Sequence, residues 1–521
     1  MAEFVAILDF GSQYSQLIAR RVRENRVYCE ILRHDTPASR LRGLQVKGIV
    51  LSGGPAGVYE DGAPRCDPEI LRLGVPVLGI CYGMQLGCEI LGGKVVPAAA
   101  REYGATVVDL RPEELLFRGL KPRTTVWMSH GDQVTALGQD FVTIAATPSC
   151  PHAAVRHSTG FIGLQFHPEV THTIEGRTII GNFLYLICGC KGDWCLTKFV
   201  EEQIEETRRT VGNGRVVCAL SGGVDSSVVA LLLSRALGDR MSCVFVDNGL
   251  LRTREREQVV TTFQQHFKLD FHLVDASRRF LERLKGVVDP EEKRLRIGHT
   301  FIDVFKETVS REPFIGDPAR GIPAVEFLAQ GTLYPDVIES RSPIDAPSAT
   351  IKSHHNVGGL PKELGFRLVE PIRYLFKDEV RAIGRELGLP DQIIRRQPFP
   401  GPGLAIRVVG EVTPERLRIL RDADGIVQEE MEKFDLYRDV WQSFAVLLPV
   451  QTVGVMGDKR TYENVIALRV VESTDGMTAN WVYLPRDILT TISNRISNEV
   501  AGVNRVVLDI SSKPPSTIEW E

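Results

Sequence analysis

Two short segments of this chain carry side chains able to do covalent chemistry: Gly79-Ile80-Cys81-Tyr82-Gly83 and Ser221-Gly222-Gly223-Val224-Asp225-Ser226-Ser227. The first sets a cysteine on a sharp turn between an apolar run and a helix-forming stretch, where glycines flank the nucleophile because a tight elbow leaves no room for side chains. A thiol attacks an amide usefully only as thiolate, held by a base and facing an oxyanion pocket. The helix expected over residues 84–91 points its positive end at the sulfur and lowers its pKa. A base is available at His167, in Gly163-Leu164-Gln165-Phe166-His167-Pro168-Glu169, where extended residues two apart share a side and Glu169 can orient the imidazole. Ser52-Gly53-Gly54-Pro55 ends another apolar run and can offer backbone amides to an oxyanion.

The second segment suits a polyphosphate. Gly222 and Gly223 let N–H groups close on phosphate oxygens, Ser221, Ser226 and Ser227 add hydroxyls, and Asp225 can reach a phosphate-bound Mg2+. A helix expected over 228–235 directs its N-terminus at the anion. The G-x-x-x-x-G-K-[ST] pattern is absent, which disfavours transfer of the γ-phosphoryl group. Each segment has a plainer reading, as a buried small hydrophobe at Cys81 or a simple helix cap at the Ser/Gly loop. The elbow glycines and His-Pro-Glu together outweigh the first. A nucleophile able to cut an amide upstream of an ATP loop suggests ammonia made at one site and consumed at the other.

Such sites need parallel sheets beneath them. Apolar runs at 4–8, 48–51 and 75–80 each stop at a glycine-rich or cysteine turn, and a second series at 216–220, 243–246 and 271–274 is separated by helix-forming segments. This pattern predicts an α/β fold of two doubly wound, mostly parallel-sheet domains, with chemistry at the strands' carboxyl ends. A small α+β domain should follow the Pro/Gly-rich stretch at 398–403, with Thr413-Pro414-Glu415 as a helix start and strands at 465–471 and 505–510. The expected division is 1–195, 196–396 and 397–521.

At 521 residues the chain needs two to four cores. A composition of 43% hydrophobic and 25% charged residues is that of a soluble globular protein, and a net charge of −4 argues against a nucleic-acid surface. No apolar run approaches the roughly 18 residues that span a bilayer, and the N-terminus is no signal peptide. Ten unevenly spaced cysteines point to reduced thiols and a cytoplasmic address, with metal binding by Cys188, Cys190 and Cys195 disfavoured.

The residues around Cys81 resemble those of class I glutamine amidotransferases. The resemblance implies a Cys81–His167–Glu169 triad, oxyanion amides from Gly53 and Tyr82, and Gln85 near the glutamine. Residues 221–227 resemble the PP-loop of N-type ATP pyrophosphatases, which form an adenylate and release pyrophosphate. In their order along the chain, these parts are similar to the glutamine-hydrolysing GMP synthetase family. That likeness extends to Gln330-Gly331-Thr332-Leu333-Tyr334-Pro335-Asp336, to Lys352-Ser353-His354-His355-Asn356, to Phe399-Pro400-Gly401-Pro402-Gly403, and to the ending from Lys513 to Glu521.

By this resemblance Arg294, Lys513 and Glu519 bind XMP, with Asp336 and Glu339 at the adenylation centre. Lys352, His354 and His355 belong to a mobile lid, and Lys377 to a further family motif. Mg2+ accompanies ATP, and the partners are XMP, ATP and glutamine, with no nucleic acid or membrane and a homodimer formed through the last domain. The stretch 311–324 looks longer than the family's usual connection. The rivals left open are another PP-loop ligase, making NAD or modifying tRNA, and a silent purine-nucleotide-binding regulator.

Overall fold

The computed structural model describes residues 3–311, 313–316, 323–339, 365–456, 458–473, 476 and 478–521. The chain forms two units, Met1–Phe199 and Val200–Glu521. The expected 396/397 boundary falls inside the second. Lys352, His354, His355 and part of the 311–324 stretch lie outside the described residues.

The first unit is built on one nine-stranded sheet, ordered β2-β1-β3-β4-β9-β8-β7-β5-β6. Its strands are β1 (Phe4–Asp9), β2 (Tyr28–Arg33), β3 (Gly48–Leu51), β4 (Val77–Ile80), β5 (Lys94–Leu110), β6 (Arg123–Ala136), β7 (Phe141–Ala146), β8 (Ala154–His157) and β9 (Phe161–Leu164). The half from β2 to β9 is parallel, and β3, β4 and β9 are buried along their whole length. Burial on both faces is why these strands read as unbroken apolar runs. The other half, β8-β7-β5-β6, is antiparallel. Alternating polar positions along β5 and β6 put one face of that half toward water.

The second unit holds two sheets. A five-stranded parallel sheet runs β12-β11-β10-β13-β14, from β10 (Arg215–Ala219), β11 (Met241–Asp247), β12 (Asp270–Asp275), β13 (Val325–Ala329) and β14 (Arg367–Val369). The last 80 or so residues add β15 (Gln442–Met456), β16 (Lys459–Glu472), β17 (Asn480–Trp481) and β18 (Val503–Asp509), with β18 parallel to β16 and the rest antiparallel. The helix Pro414–Lys433 starts as expected: Thr413 Oγ1 accepts the Arg416 N–H at 3.2 Å, with Pro in the first turn. One apolar cluster links β10 and β11 to this helix and to β15 and β16, through Val217, Val244, Leu404, Leu420, Leu447 and Ile466.

Candidate active sites

In the first unit, three loops leave the carboxyl ends of three neighbouring parallel strands: β3, β4 and β9. They bring Gly53, Cys81 and His167 together. Ile80 pairs with Leu164 in register, so the nucleophile and the base leave adjacent strands at the same height. Cys81 takes φ +51°, ψ −106°, a strained conformation for a residue with a side chain, and the helix Tyr82–Ile90 follows at once. The glycines make this turn possible. A Cβ on Gly79 would stand 2.5 Å from the Gly83 carbonyl oxygen, and one on Gly83 would press into the Leu51 carbonyl of β3.

Replacing Gly83 by Ala is therefore expected to destabilise the first unit by about 3 kcal/mol, read as a lower urea midpoint with loss of glutaminase activity. Ala at Gly43 makes a fair control, since a Cβ there meets nothing within 4 Å.

His167 Nδ1 lies 2.7 Å from Glu169 Oε1, and both side chains are buried. Burial alone would lower the imidazole pKa. The Glu169 carboxylate and the Cys81 sulfur outweigh it and hold the ring well above its ordinary value. A base with so strong a hold on its proton can take one from a thiol. Tyr14 packs edge-on against the imidazole, with centroids 5.2 Å apart. Gly53 lies beside both partners: a Cβ there would be 3.4 Å from His167 Cε1 and 3.8 Å from Cys81 Cβ. The loop is pinned by Ser52 Oγ, which accepts the Phe10 N–H at 3.0 Å and donates to the Gly53 carbonyl at 2.8 Å. Tyr82 opens the helix, where its N–H has no carbonyl a turn earlier to bind.

Gln85 stands one side chain away from the sulfur. Its Nε2 donates to the Asp132 carbonyl at 3.1 Å and to Gln165 Oε1 at 3.3 Å, while Gln165 Nε2 donates to Cys81 Sγ at 3.7 Å. The Sγ also points at the Ser129 carbonyl, 3.7 Å away. Gln165, Ser129 and Tyr14 were not foreseen. Gln165 is two residues before His167, and the same every-second-residue argument that placed Glu169 would have placed it too.

In the second unit the adjacent strands β11, β10 and β13 end in Asp247, the Ser/Gly loop and the Gln330–Asp336 loop. Gly222 has φ +75° and Gly223 caps the helix Val224–Leu237. The loop is tied to itself by serine hydroxyls: Ser226 Oγ accepts the Ser221 N–H at 3.2 Å, and Ser227 Oγ donates to the Gly223 carbonyl at 2.7 Å. Arg396 donates to the Gly222 carbonyl at 3.1 Å from behind. Gly331 packs on the helix start, its Cβ position 3.6 Å from Asp225 Cβ.

Asp225 Oδ2 lies 3.7 Å from Lys377 Nζ, and its Oδ1 is buried without a hydrogen-bond partner. Burial raises the Asp225 pKa; Asp336 adds to the rise, against Lys377 and Arg381. Asp225, Asp336 and Lys377 thus converge beside the loop. The glycines, hydroxyls and helix start suit a polyphosphate, and the two carboxylates suit its counter-cation.

The ending is docked in this unit through buried cations. Arg407 grips the Glu519 carboxylate with Nε and Nη2 at 3.0 and 2.8 Å, Lys293 binds the Glu521 carboxylate, and Arg294 donates to the Glu521 main-chain oxygen. Lys513 Nζ donates to the Gly476 carbonyl at 2.7 Å. Arg294 and Glu519 therefore meet around one docked tail, whereas Lys513 is held elsewhere on it. Phe399 sits among the guanidiniums of Arg252, Arg396 and Arg407, 5.0–5.6 Å from its centroid. Glu339 ends the helix Tyr334–Glu339.

Comparison with known proteins finds relatives along the whole length of the chain. The family model for class-I glutamine amidotransferases matches residues 6–187, that for NAD synthase residues 195–295, and that for the GMP synthase C terminal domain residues 429–520. A glutamine-hydrolyzing GMP synthase of Caldanaerobacter subterraneus subsp. tengcongensis is 58% identical over 100% of this chain and 99% of its own. The chain belongs to the glutamine-hydrolysing GMP synthase family. Other GMP synthases of that description, from Maridesulfovibrio salexigens and a Nostoc species, are 57% and 55% identical over 99% and 100% of this chain and 99% and 96% of theirs. The NAD synthase match ends at 295 and pairs here with an amidotransferase; the GMP synthase family accounts for both halves.

Proposed function

We propose that the chain aminates XMP to GMP, using ATP, which becomes AMP and pyrophosphate, and ammonia cut from glutamine. One observation carries the reading: Cys81 on its strained turn, backed by His167 and Glu169, stands in one chain with a polyphosphate loop that lacks the lysine of γ-phosphoryl transfer. Identity to glutamine-hydrolyzing GMP synthases over the full length supports it.

Residues 1–195 form the glutaminase in this reading, 196–396 the ATP pyrophosphatase, and 397–521 the dimerising portion. His167, oriented by Glu169, takes the thiol proton; Cys81 attacks the carboxamide carbon; and the Gly53 and Tyr82 amides receive the oxyanion. Ammonia departs, and water hydrolyses the thioester to glutamate. Gln85 supports the glutamine pocket.

In the second unit Ser221, Gly222, Gly223, Val224, Ser226 and Ser227 hold the leaving pyrophosphate. XMP O2 attacks the α-phosphorus, and ammonia then displaces AMP at C2. Arg294, Lys513 and Glu519 orient XMP, and Asp336 and Glu339 line the adenylation centre. The lid residues Lys352, His354 and His355, with Lys377, neutralise charge. Mg2+, which such ATP-using synthetases generally employ, neutralises phosphate oxygens when bound; Asp225 would hold it, and its partnerless Oδ1 fits that part.

Exposed Val453, Val455 and Tyr462 on the β15–β16 hairpin support a homodimer through that face. No helix among the described residues is long and apolar enough to cross a membrane, in keeping with a cytoplasmic enzyme.

The test is product analysis with glutamine, XMP and MgATP. GMP, AMP and pyrophosphate are expected in equal amounts, with at least as much glutamate. ADP with orthophosphate, or indifference to XMP, overturns the reading.

A further inference from the structure

Beside the glutaminase thiol lies a second cluster that the proposed reaction does not use. Glu102 on β5 and His130 on β6 are direct cross-strand partners, and Cys150 comes from the turn between β7 and β8. One ligand atom from each residue lies within 4.8 Å of the others. Two hydrogen bonds close the turn: Thr147 Oγ1 accepts the Cys150 N–H at 2.9 Å, and the Thr147 N–H donates to the Cys150 carbonyl at 2.9 Å.

The hydrogen bonds around His130 leave a position for a cation. Its Nδ1 lies 3.0 Å from the Asp132 carbonyl, which can only accept, so Nδ1 carries the hydrogen. In the neutral ring Nε2 is then a bare lone pair, and it faces Glu102 Oε2 at 3.2 Å. Two electron-rich atoms at that distance need a positive charge between them. A proton on Nε2 would serve that pair alone, whereas a cation there also engages the Cys150 sulfur, which lies within 4.8 Å of both atoms. The other Glu102 oxygen is already taken by Ser149 Oγ at 2.6 Å, which leaves Oε2 for the cation. A ring nitrogen fixed by donation from its partner nitrogen to a carbonyl, and a carboxylate fixed by a hydroxyl, is the support that metal ligands receive in proteins.

We propose that Glu102, His130 and Cys150 bind one soft divalent cation of the Zn2+ class, with water in the fourth position. One nitrogen, one sulfur and one oxygen ligand is a set suited to zinc. On binding, the Cys150 thiol proton leaves to solvent as the S–metal bond forms. Closing from at most 4.8 Å to the roughly 3.5 Å between tetrahedral ligands needs only a small shift of the Cys150 turn. The site adjoins the catalytic one through the chain itself. Ser129 and Asp132, on either side of His130, touch Cys81 and Gln85.

The full chain, stripped with a chelator, is titrated with Co2+ as the probe. One equivalent should bind with a sulfur-to-cobalt charge-transfer band in the near ultraviolet, and Zn2+ should remove the band. Cys150→Ser should lose the band and Cys81→Ser should keep it. Should Cys150→Ser fail to fold, Glu102→Gln should weaken binding at least about tenfold. No band, a band that survives both Cys150→Ser and Glu102→Gln, or one lost with Cys81→Ser overturns the proposal, the last by placing the metal on the catalytic thiol.

Discussion

Replacing Cys81 by Ala is expected to lower glutamine-dependent GMP synthesis by about four orders of magnitude or more, while synthesis from ammonium salts continues. The size follows from chemistry: without the sulfur there is no thioester, and neither His167 nor the oxyanion amides can substitute for a missing nucleophile. The survival of ammonia use follows from structure. Cys81 belongs to the first unit, and each residue assigned to ATP and XMP belongs to the second. Ala keeps a Cβ and so leaves the cost of the φ of +51° unchanged, which confines the effect to the lost sulfur. The assay measures GMP with glutamine and then with ammonium chloride at alkaline pH. Equal loss in both would contradict a separable division of labour.

Replacing Asp225 by Asn is expected to give the opposite pattern. The neutral amide keeps the size of the side chain but removes the charge that faces Lys377 and the adenylation loop. A loss of about 4 kcal/mol of charge stabilisation, roughly a thousandfold in rate, should fall on GMP synthesis from glutamine and from ammonia alike. Basal glutaminase activity, measured as glutamate release without nucleotides, should remain. The stability change should be small, because Oδ1 has no partner in the folded protein to lose. Full ATP-dependent activity in this variant would remove Asp225 from the cation site.

Glycine was the most legible residue in this chain. At 79, 83 and 222 it marks places where a Cβ or a negative φ would spoil a turn, and such limits act over a few residues, so a sequence shows them. The apolar runs under those turns were legible for the same local reason, and β3 was found at its exact limits. What escaped depends on distance. Nothing near Glu519 announces Arg407, 112 residues away, and Arg407 itself reads as a surface cation although it is fully buried. The antiparallel half of the first sheet escaped because β5 and β6 are long, half-solvated strands whose pairing is set by contact with each other rather than by a turn signal. Gln165 and Tyr14 escaped because an uncharged side chain beside a catalytic one carries no signature of its own.

The apolar cluster shared by β10, β11, the Pro414–Lys433 helix and β16 has a thermodynamic corollary. Whatever the separate duties of the ATP-handling stretch and the dimerising stretch, neither owns a complete interior. Excised alone, residues 397–521 would lose the part of that cluster supplied by Val217, Val244, Val246 and Phe280 and should be less stable than in the whole unit. The second unit is bound to melt as one body.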